Sequence, residues 1–413
     1  MLSSKPNRSV GLDIGTYSVK AVQMSKSGGH LRVDHAGYAA IDTAQLSVDP
    51  VQAQAAALTE ALQNIPTKNT VVVGSLPGQT VVIRYPRLPD MPDNELRQAI
   101  DREAAQNLPF ELSEVFIDSV VLDRCVENDE HVAKVLLVAA KHELIDSCIR
   151  VAEAAGIQYA ILTVDALALA DAAECCGFLG KNETVALLDI GAASTIVHFL
   201  KDGVSNYYRD VNWGARELVQ AIARANRCEP PMAEQILRDI AKRSTPGEAP
   251  PPQKEKRGPS TSPDPFEEEI PPEPSFELDI GDSPLEPLEE EQSGRGERAP
   301  TSGAGTGQGQ PIEQVLRLPL TNLVNEVRRS FDFYEHQMYE RSVERVLISG
   351  GVGCLPLIRD RLKQELGLEQ IDVVNPASSQ LTLGRAEDIA PLLKQPAQFM
   401  VAVGLAARGA VEL

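Results

Sequence analysis

Two stretches of the chain carry side chains spaced for phosphate chemistry. Val10–Val22 reads VGLDIGTYSVKAV, and Val185–Phe199 reads VALLDIGAASTIVHF. Each is an apolar run ended by Asp-Ile-Gly, then small and hydroxyl residues, then a second apolar run: strand, tight turn, returning strand. Asp13 and Asp189 would stand at strand ends, and Gly15 and Gly191 would let the backbone approach a phosphate closely. Thr16 and Ser18 in the first turn, and Ser194 and Thr195 beside Ala192 in the second, offer hydroxyl donors; Lys20 can counter phosphate charge. Two such hairpins facing each other would clamp a polyphosphate. Their carboxylates would then hold a hydrated Mg²⁺, an ion that keeps several waters and needs few protein ligands. Taken singly, either Asp-x-Gly also fits an ordinary hairpin turn in which the aspartate accepts backbone hydrogen bonds. A third stretch, Val346–Leu362, reads VLISGGVGCLPLIRDRL. It predicts a buried strand, a turn at Gly350, Gly351, Val352 and Gly353, and a helix opening near Pro356. Such glycines would let an adenine ring lie on the backbone, or serve only to pack strand against helix.

Layers of strand and helix must hold these turns. After the first hairpin come a strand at His30–Tyr38, a helix at Pro50–Asn64 and a strand from Thr70, which opens an α/β domain over residues 9–78. Residues 79–156 read as an inserted α+β unit: strand Thr80–Tyr85, helix Asp93–Asn107, strands near Val115–Leu122 and Val132–Ala139, and helix His142–Ala155. Residues 157–183, with strand Ile157–Val164 and helix Asp165–Cys175, return to the first layer. The second lobe occupies 184–243 and 311–413, and Phe399–Arg408 is a helix of small residues suited to close contact. Between them, 244–310 is rich in Pro, Gly, Ser and Glu, with about 15 acids to about 5 bases. It is expected to be disordered, because it cannot bury enough apolar surface to offset its ordering entropy. Its isolated Phe266, Ile270, Phe276, Leu278 and Ile280 fit a passive linker or a short docking motif.

The charge balance narrows the partners. With 59 acidic and 39 basic side chains the formal charge is −20, which argues against nucleic acid, since phosphate backbones are held by lysine and arginine. An aromatic content of 4% makes a base-stacking surface improbable, while 43% apolar residues support large cores. The cysteines, Cys125, Cys148, Cys175, Cys176, Cys228 and Cys354, form no CxxC pair, as expected of reduced thiols in the cytoplasm. Met1–Asn7 is polar and lacks the apolar stretch of a secretory signal, so export is not expected. No apolar run approaches the roughly 18–20 residues that span a bilayer, so a membrane role is expected to be peripheral, without direct insertion.

The order of two DIG hairpins, the GGVG turn and two small-residue helices, Val164–Ala173 and Val401–Arg408, resembles the actin-like ATPase superfamily. That resemblance implies two lobes closing over ATP and Mg²⁺, with Asp13 near the metal, Asp189 across the cleft, and Gly350, Gly351 and Val352 near the nucleoside. Within the superfamily, VVVGSLPGQTVVIRYPRLPDMPDNELRQAIDREAAQNLP, ending at Pro109, with NPASSQ from Asn375 and the closing AVGLAARG, is similar to the PilM family of type IV pilus assembly. This similarity implies an FtsA-like scaffold that binds ATP and works with other pilus assembly proteins. Its implied partner is PilN, an inner-membrane protein whose short cytoplasmic N-terminal segment docks on the first lobe, so the chain would sit in the cytoplasm and reach the membrane through that partner. Where actin has a water-orienting glutamine, Asp165 stands here, as a base or as a helix cap; slow or negligible hydrolysis is the expectation. One wall of a peptide groove could come from Leu88, Met91, Leu96, Arg97 and Ile100, although the same spacing also describes a helix face turned into a core. The competing readings are an FtsA-like division protein, which would need a membrane helix after the last motif, and a small-molecule kinase of the same superfold.

Overall fold

The computed structural model describes residues 7–127, 129–243 and 311–411; the acidic stretch 244–310, expected to be disordered, lies outside them. The chain begins with β1 (Arg8–Ile14), β2 (Ser18–Ser27), β3 (His30–Ala40) and β4 (Val71–Leu76), then builds β5 (Val81–Arg84), β6 (Arg87–Pro89), β7 (Val115–Glu127) and β8 (Glu130–Lys141) before β9 (Ile161–Val164). A second series follows: β10 (Thr184–Ile190), β11 (Thr195–Lys201), β12 (Val204–Val211), β13 (Arg345–Ser349), β14 (Ile371–Val373) and β15 (Thr382–Leu383).

One connectivity is used twice. The first sheet runs β15-β3-β2-β1-β4-β9 and the second β12-β11-β10-β13-β14. In each, three antiparallel strands come first and two parallel strands extend the sheet beyond the central one. The sequence repeat is therefore a repeat of topology, and it places both Asp-Ile-Gly turns at the same end of equivalent strands. The central strands are covered on both faces, which explains why β10 reads as a nearly continuous apolar run, TVALLDI, and not as an alternating one.

Helices Pro50–Ala61 and His142–Ala154 pack over the first sheet. The former starts with Pro50 in its first turn and Asp49 as cap, whose side chain accepts from the Gln52 N–H at 3.1 Å. In the second lobe, helices Ala215–Asn226 and Ile312–Asp332 close over an aromatic core in which Phe199 stacks on Tyr334 at 4.4 Å between centroids. The Pro319 carbonyl inside the second of these helices accepts from the Trp213 indole at 2.9 Å.

Beneath the cleft two connecting helices, Asp165–Cys175 and Met400–Val411, cross so tightly that only small residues fit. A Cβ on Gly404 would land on the carbonyl oxygen of Ala168, and one on Gly11 of β1 would land on that of Ala402. The cluster around this crossing contains Val22 and Val33 from the first sheet and Leu187 and Ile196 from the second, so the lobes share one core at their hinge. Among the described residues, no helix is long and apolar enough to cross a membrane.

The inserted unit is a sheet of β5–β8 with helix Asp93–Asn107 laid on it. Here the groove-wall expectation needs correction. Leu96 and Ile100 are buried with Val135, Leu137 and Ala139 between helix and sheet, and Leu88 and Met91 pack against the same cluster. Their helical spacing reports the core of this unit; of that set only Arg97 is exposed. The unit is fastened to the second lobe through Glu340, whose side chain is 5% exposed and accepts from Arg87 at 3.0 Å and from Lys201 at 2.7 Å.

Candidate functional site

Both turns close in the same way: the Gly15 N–H donates to the Ser18 carbonyl at 3.1 Å, and the Gly191 N–H to that of Ser194 at 2.9 Å. Antiparallel register sets Asp13 opposite Lys20, and they form an ion pair of 3.1 Å. On the other side, parallel pairing sets Asp189 beside Ser349, whose hydroxyl donates to it at 2.6 Å. The two turns meet electrostatically at Lys20. Burial pulls its pKa down, but Asp13 and then Asp189 outweigh burial and hold the ammonium above its ordinary value. Asp189 is raised to about 6 by burial, with Asp13 and Asp210 adding to it against the Ser349 hydrogen bond and Lys20.

The remaining turn residues divide by what they face. Thr16 is exposed at the tip, Ala192 and Ser194 are half-buried, and Ser18 is buried. Thr195 departs from its expected place: it is fully buried and its hydroxyl donates into the second lobe, to the Trp213 carbonyl at 2.8 Å. In the glycine turn, Gly350 takes φ +92° against the Ile190 backbone, Gly353 lies against Ser349, and Val352 belongs to the lobe core. Those three serve the close packing of strand and turn. Gly351 is different, because a Cβ there would meet nothing nearer than the Gln398 side chain at 3.8 Å, which leaves its face open.

Asp165 opens its helix and accepts from two backbone N–H groups, Ala166 at 2.8 Å and Gly78 at 3.0 Å. It thus ties the start of the inserted unit to the connecting helix, from the first position of that helix and not from its cap, which is Val164. The Asp165 carboxyl is pushed well above the usual range by burial and by Asp210, with those N–H groups opposing. Asp210, on β12, went unrecognised in the sequence. It receives a hydrogen bond from Tyr208, and Ser194 bonds to it as well. Nothing local in Tyr-Tyr-Arg-Asp marks it; only its register opposite Ile196, two residues past the second turn, brings it to the cleft. The same holds for a cross-lobe contact at Tyr17, whose hydroxyl donates to Glu234 at 2.8 Å and accepts from Arg238.

A buried relay lies behind Asp165. His198 Nδ1 bonds the Ala166 carbonyl at 2.9 Å and Nε2 bonds Ser205 Oγ at 2.7 Å, which in turn bonds the Tyr85 hydroxyl at 2.8 Å. Burial lowers the imidazole to about 4, so it is neutral at pH 7. A carbonyl can only accept, so Nδ1 carries the proton, Ser205 donates to Nε2, and Tyr85 donates to Ser205. The chain of donors is fixed from the inserted unit to the helix that bears Asp165.

Asp210 gives a test with a defined sign. Burial lifts its folded carboxyl to about 6, against Tyr208 and Ser194, while the unfolded value is about 3.9. With the folded value above the unfolded one, the stability it contributes is present at low pH and lost as pH rises through about 6. Asp210→Asn copies the neutral form and is expected to gain on the order of 2 kcal/mol at pH 7.5, an advantage that shrinks as pH falls below about 6 and vanishes below about 3.9. A melting temperature below wild type at pH 7.5 would contradict the assignment.

The family model for type IV pilus assembly protein PilM matches residues 11–243 and 309–410. Among solved structures, the chain is similar to a PilM-PilN type IV pilus biogenesis complex at 22% identity, covering 98% of this chain and 99% of that one with a TM-score of 0.71. It is also similar to the ethanolamine utilization protein EutJ from Carboxydothermus hydrogenoformans, at 13% identity over 97% and 90% of the two chains with a TM-score of 0.48. Ta0583, an archaeal actin homologue in complex with ADP, aligns at 13% identity over 98% of each chain with a TM-score of 0.41. The fold is the two-lobed actin-like ATPase fold.

Proposed function

The chain belongs to the family of type IV pilus assembly protein PilM, and from that premise we propose that it is an ATP-binding scaffold coupling pilus assembly to the inner membrane. The observation that carries the nucleotide reading is that Asp13 and Asp189 stand at equivalent ends of β1 and β10 in two duplicated sheets, with Lys20 of β2 paired to Asp13 at 3.1 Å and within electrostatic reach of Asp189. A buried lysine between two carboxylates suits a site built for a cation beside phosphates: the acids suit hydrated Mg²⁺ and the ammonium suits the anion. The fit extends to the backbone. The turns at Gly15–Ser18 and Gly191–Ser194 supply N–H groups and hydroxyls for phosphate, and the open face of Gly351 suits the nucleoside. Asp13 and Asp189 would hold Mg²⁺ through water. When bound, the metal neutralises phosphate charge and orients the polyphosphate. Asp165 accepts from two backbone N–H groups, a role in holding backbone and not in activating water, so the proposed activity is binding with at most slow hydrolysis.

The partner in this reading is the cytoplasmic N-terminal segment of a PilN-like membrane protein, and the chain then associates with the membrane peripherally. Among solved structures with this fold is a PilM-PilN type IV pilus biogenesis complex, which supports this partner. Single-turnover assays with Mg·ATP, beside equilibrium binding of the nucleotide, separate binding from catalysis. Turnover above about 1 s⁻¹, a rate ordinary for enzymes, would replace the scaffold reading with an enzymatic one.

A further inference from the structure

Tyr17 stands in the first turn, between Thr16 and Ser18, yet its hydroxyl is committed to the other lobe. It donates to Glu234 at 2.8 Å and accepts from Arg238, and Arg238 donates to Glu234 at 3.2 Å, so the three groups close a ring. Glu234 and Arg238 lie one turn apart on helix Pro230–Arg243, and Glu234 is 217 positions along the chain from Tyr17. Burial and the bond to Glu234 push the phenol up to about 12, so it keeps its proton and stays a donor near neutral pH. Hydrogen bonds to charged groups are the strong kind, and this hydroxyl has a carboxylate on one side and a guanidinium on the other.

Both ends of the contact are anchored. On the first lobe the Tyr17 carbonyl accepts from the Ile41 N–H at 2.9 Å, and the Gly15–Ser18 bond closes the turn around it. On the second, Ala233 and Leu237, the chain neighbours of Glu234 and Arg238, are buried in the core of that lobe. With both backbones fixed, the bond holds turn and helix at one separation, and widening that separation breaks it. This tie is distinct from the others between the lobes. Among the described residues, none of helix Pro230–Arg243 and none of Gly15–Ser18 belongs to the core shared at the hinge, and the inserted unit is fastened elsewhere, through Glu340 and Ser205. We propose that Tyr17 is a positioning residue for the nucleotide: its bond to Glu234 and Arg238 latches the first phosphate turn to the second lobe, and the latch must open before a nucleotide enters or leaves the cleft. This rests on the reading that nucleotide binds between the two Asp-Ile-Gly turns, and adds what governs its exchange. Because the bond joins protein to protein, it opposes entry and exit alike, so it sets the rates and leaves affinity nearly unchanged.

The test uses the full chain and a fluorescent ATP analogue with Mg²⁺ in stopped flow, with dissociation followed after a chase of unlabelled Mg·ATP. Tyr17→Phe keeps the ring and removes the hydroxyl; association and dissociation should both quicken about tenfold, while the dissociation constant moves by less than about threefold. Glu234→Ala should act in the same way. The double variant should be no faster than Tyr17→Phe, because the two side chains act through one bond. Wild-type rates in both single variants, with the analogue still bound, overturn the latch and leave the nucleotide reading standing. A loss of affinity carried by dissociation alone would set Tyr17 against the nucleotide itself and also overturn the latch, as would effects that multiply in the double variant. No binding of the analogue to wild type, and no calorimetric heat with unlabelled Mg·ATP, removes both.

Discussion

Gly404→Leu is expected to prevent folding, or to lower the melting temperature by about 6–12 °C, the equivalent of at least about 3 kcal/mol. The added Cβ would collide with the backbone carbonyl of Ala168 and come within 3.0 Å of the Ala172 nitrogen. Backbone in the middle of a buried helix cannot give way as a side-chain tip can, so the helices must part. Parting opens the core that both lobes share, which multiplies the damage. Arg408→Ala on the same helix removes the 2.7 Å ion pair with Asp171 but is half-exposed, and should cost far less. Scanning fluorimetry of the two variants checks this. A Gly404→Leu protein that melts within 2 °C of wild type would mean the helices do not cross as described.

The second large effect is ligand-dependent. At about 100 times its dissociation constant, Mg·ATP should stabilise the native protein by about 2.7 kcal/mol and raise its melting temperature accordingly. Asp13→Asn should abolish that shift. The amide is preferred to alanine because Asp13 also holds the buried ammonium of Lys20, and removing both charge and shape would leave that ammonium with Asp189 alone. Each variant is compared with its own nucleotide-free form, so any intrinsic loss cancels. Equal shifts in wild type and Asp13→Asn, or no shift and no calorimetric heat in wild type, would remove the nucleotide from the cleft.

Strong local patterns were legible in the sequence. Helices Asp93–Asn107 and Asp165–Cys175 were read with the bounds they have, because apolar spacing and flanking residues agreed, and both hairpins were read from their apolar runs around Asp-Ile-Gly. The duplicated topology was hinted at by that repeat, though its five-strand equivalence required the pairings of β4 and β9 with β1, and of β13 and β14 with β10, which connect distant segments. What stayed hidden depends on orientation across space. Leu96 and Ile100 look the same in sequence whether they face a core or a groove. Thr195 differs from Ser194 by one position, yet strand alternation sends one hydroxyl into the lobe and leaves the other at the cleft. Asp210 and Glu340 owe their roles to partners over a hundred residues away or to a strand register, and no window of sequence contains those.

The seam between Ser9 and Ala406 bears on how the molecule is made. The Ser9 hydroxyl donates to the Ala406 carbonyl at 2.5 Å across 397 positions of chain, and β15 joins β3 from nearly as far. A ribosome must therefore add the 397 positions that separate Ser9 from Ala406 before the first-made sheet can receive these neighbours. Closing such a distance costs entropy that grows only with the logarithm of its length, but the delay leaves apolar strands uncovered while synthesis continues. Nascent chains stalled before Met400 should consequently be captured by chaperones or proteases, and a gene cut into two at any loop should yield fragments that become soluble only when made together.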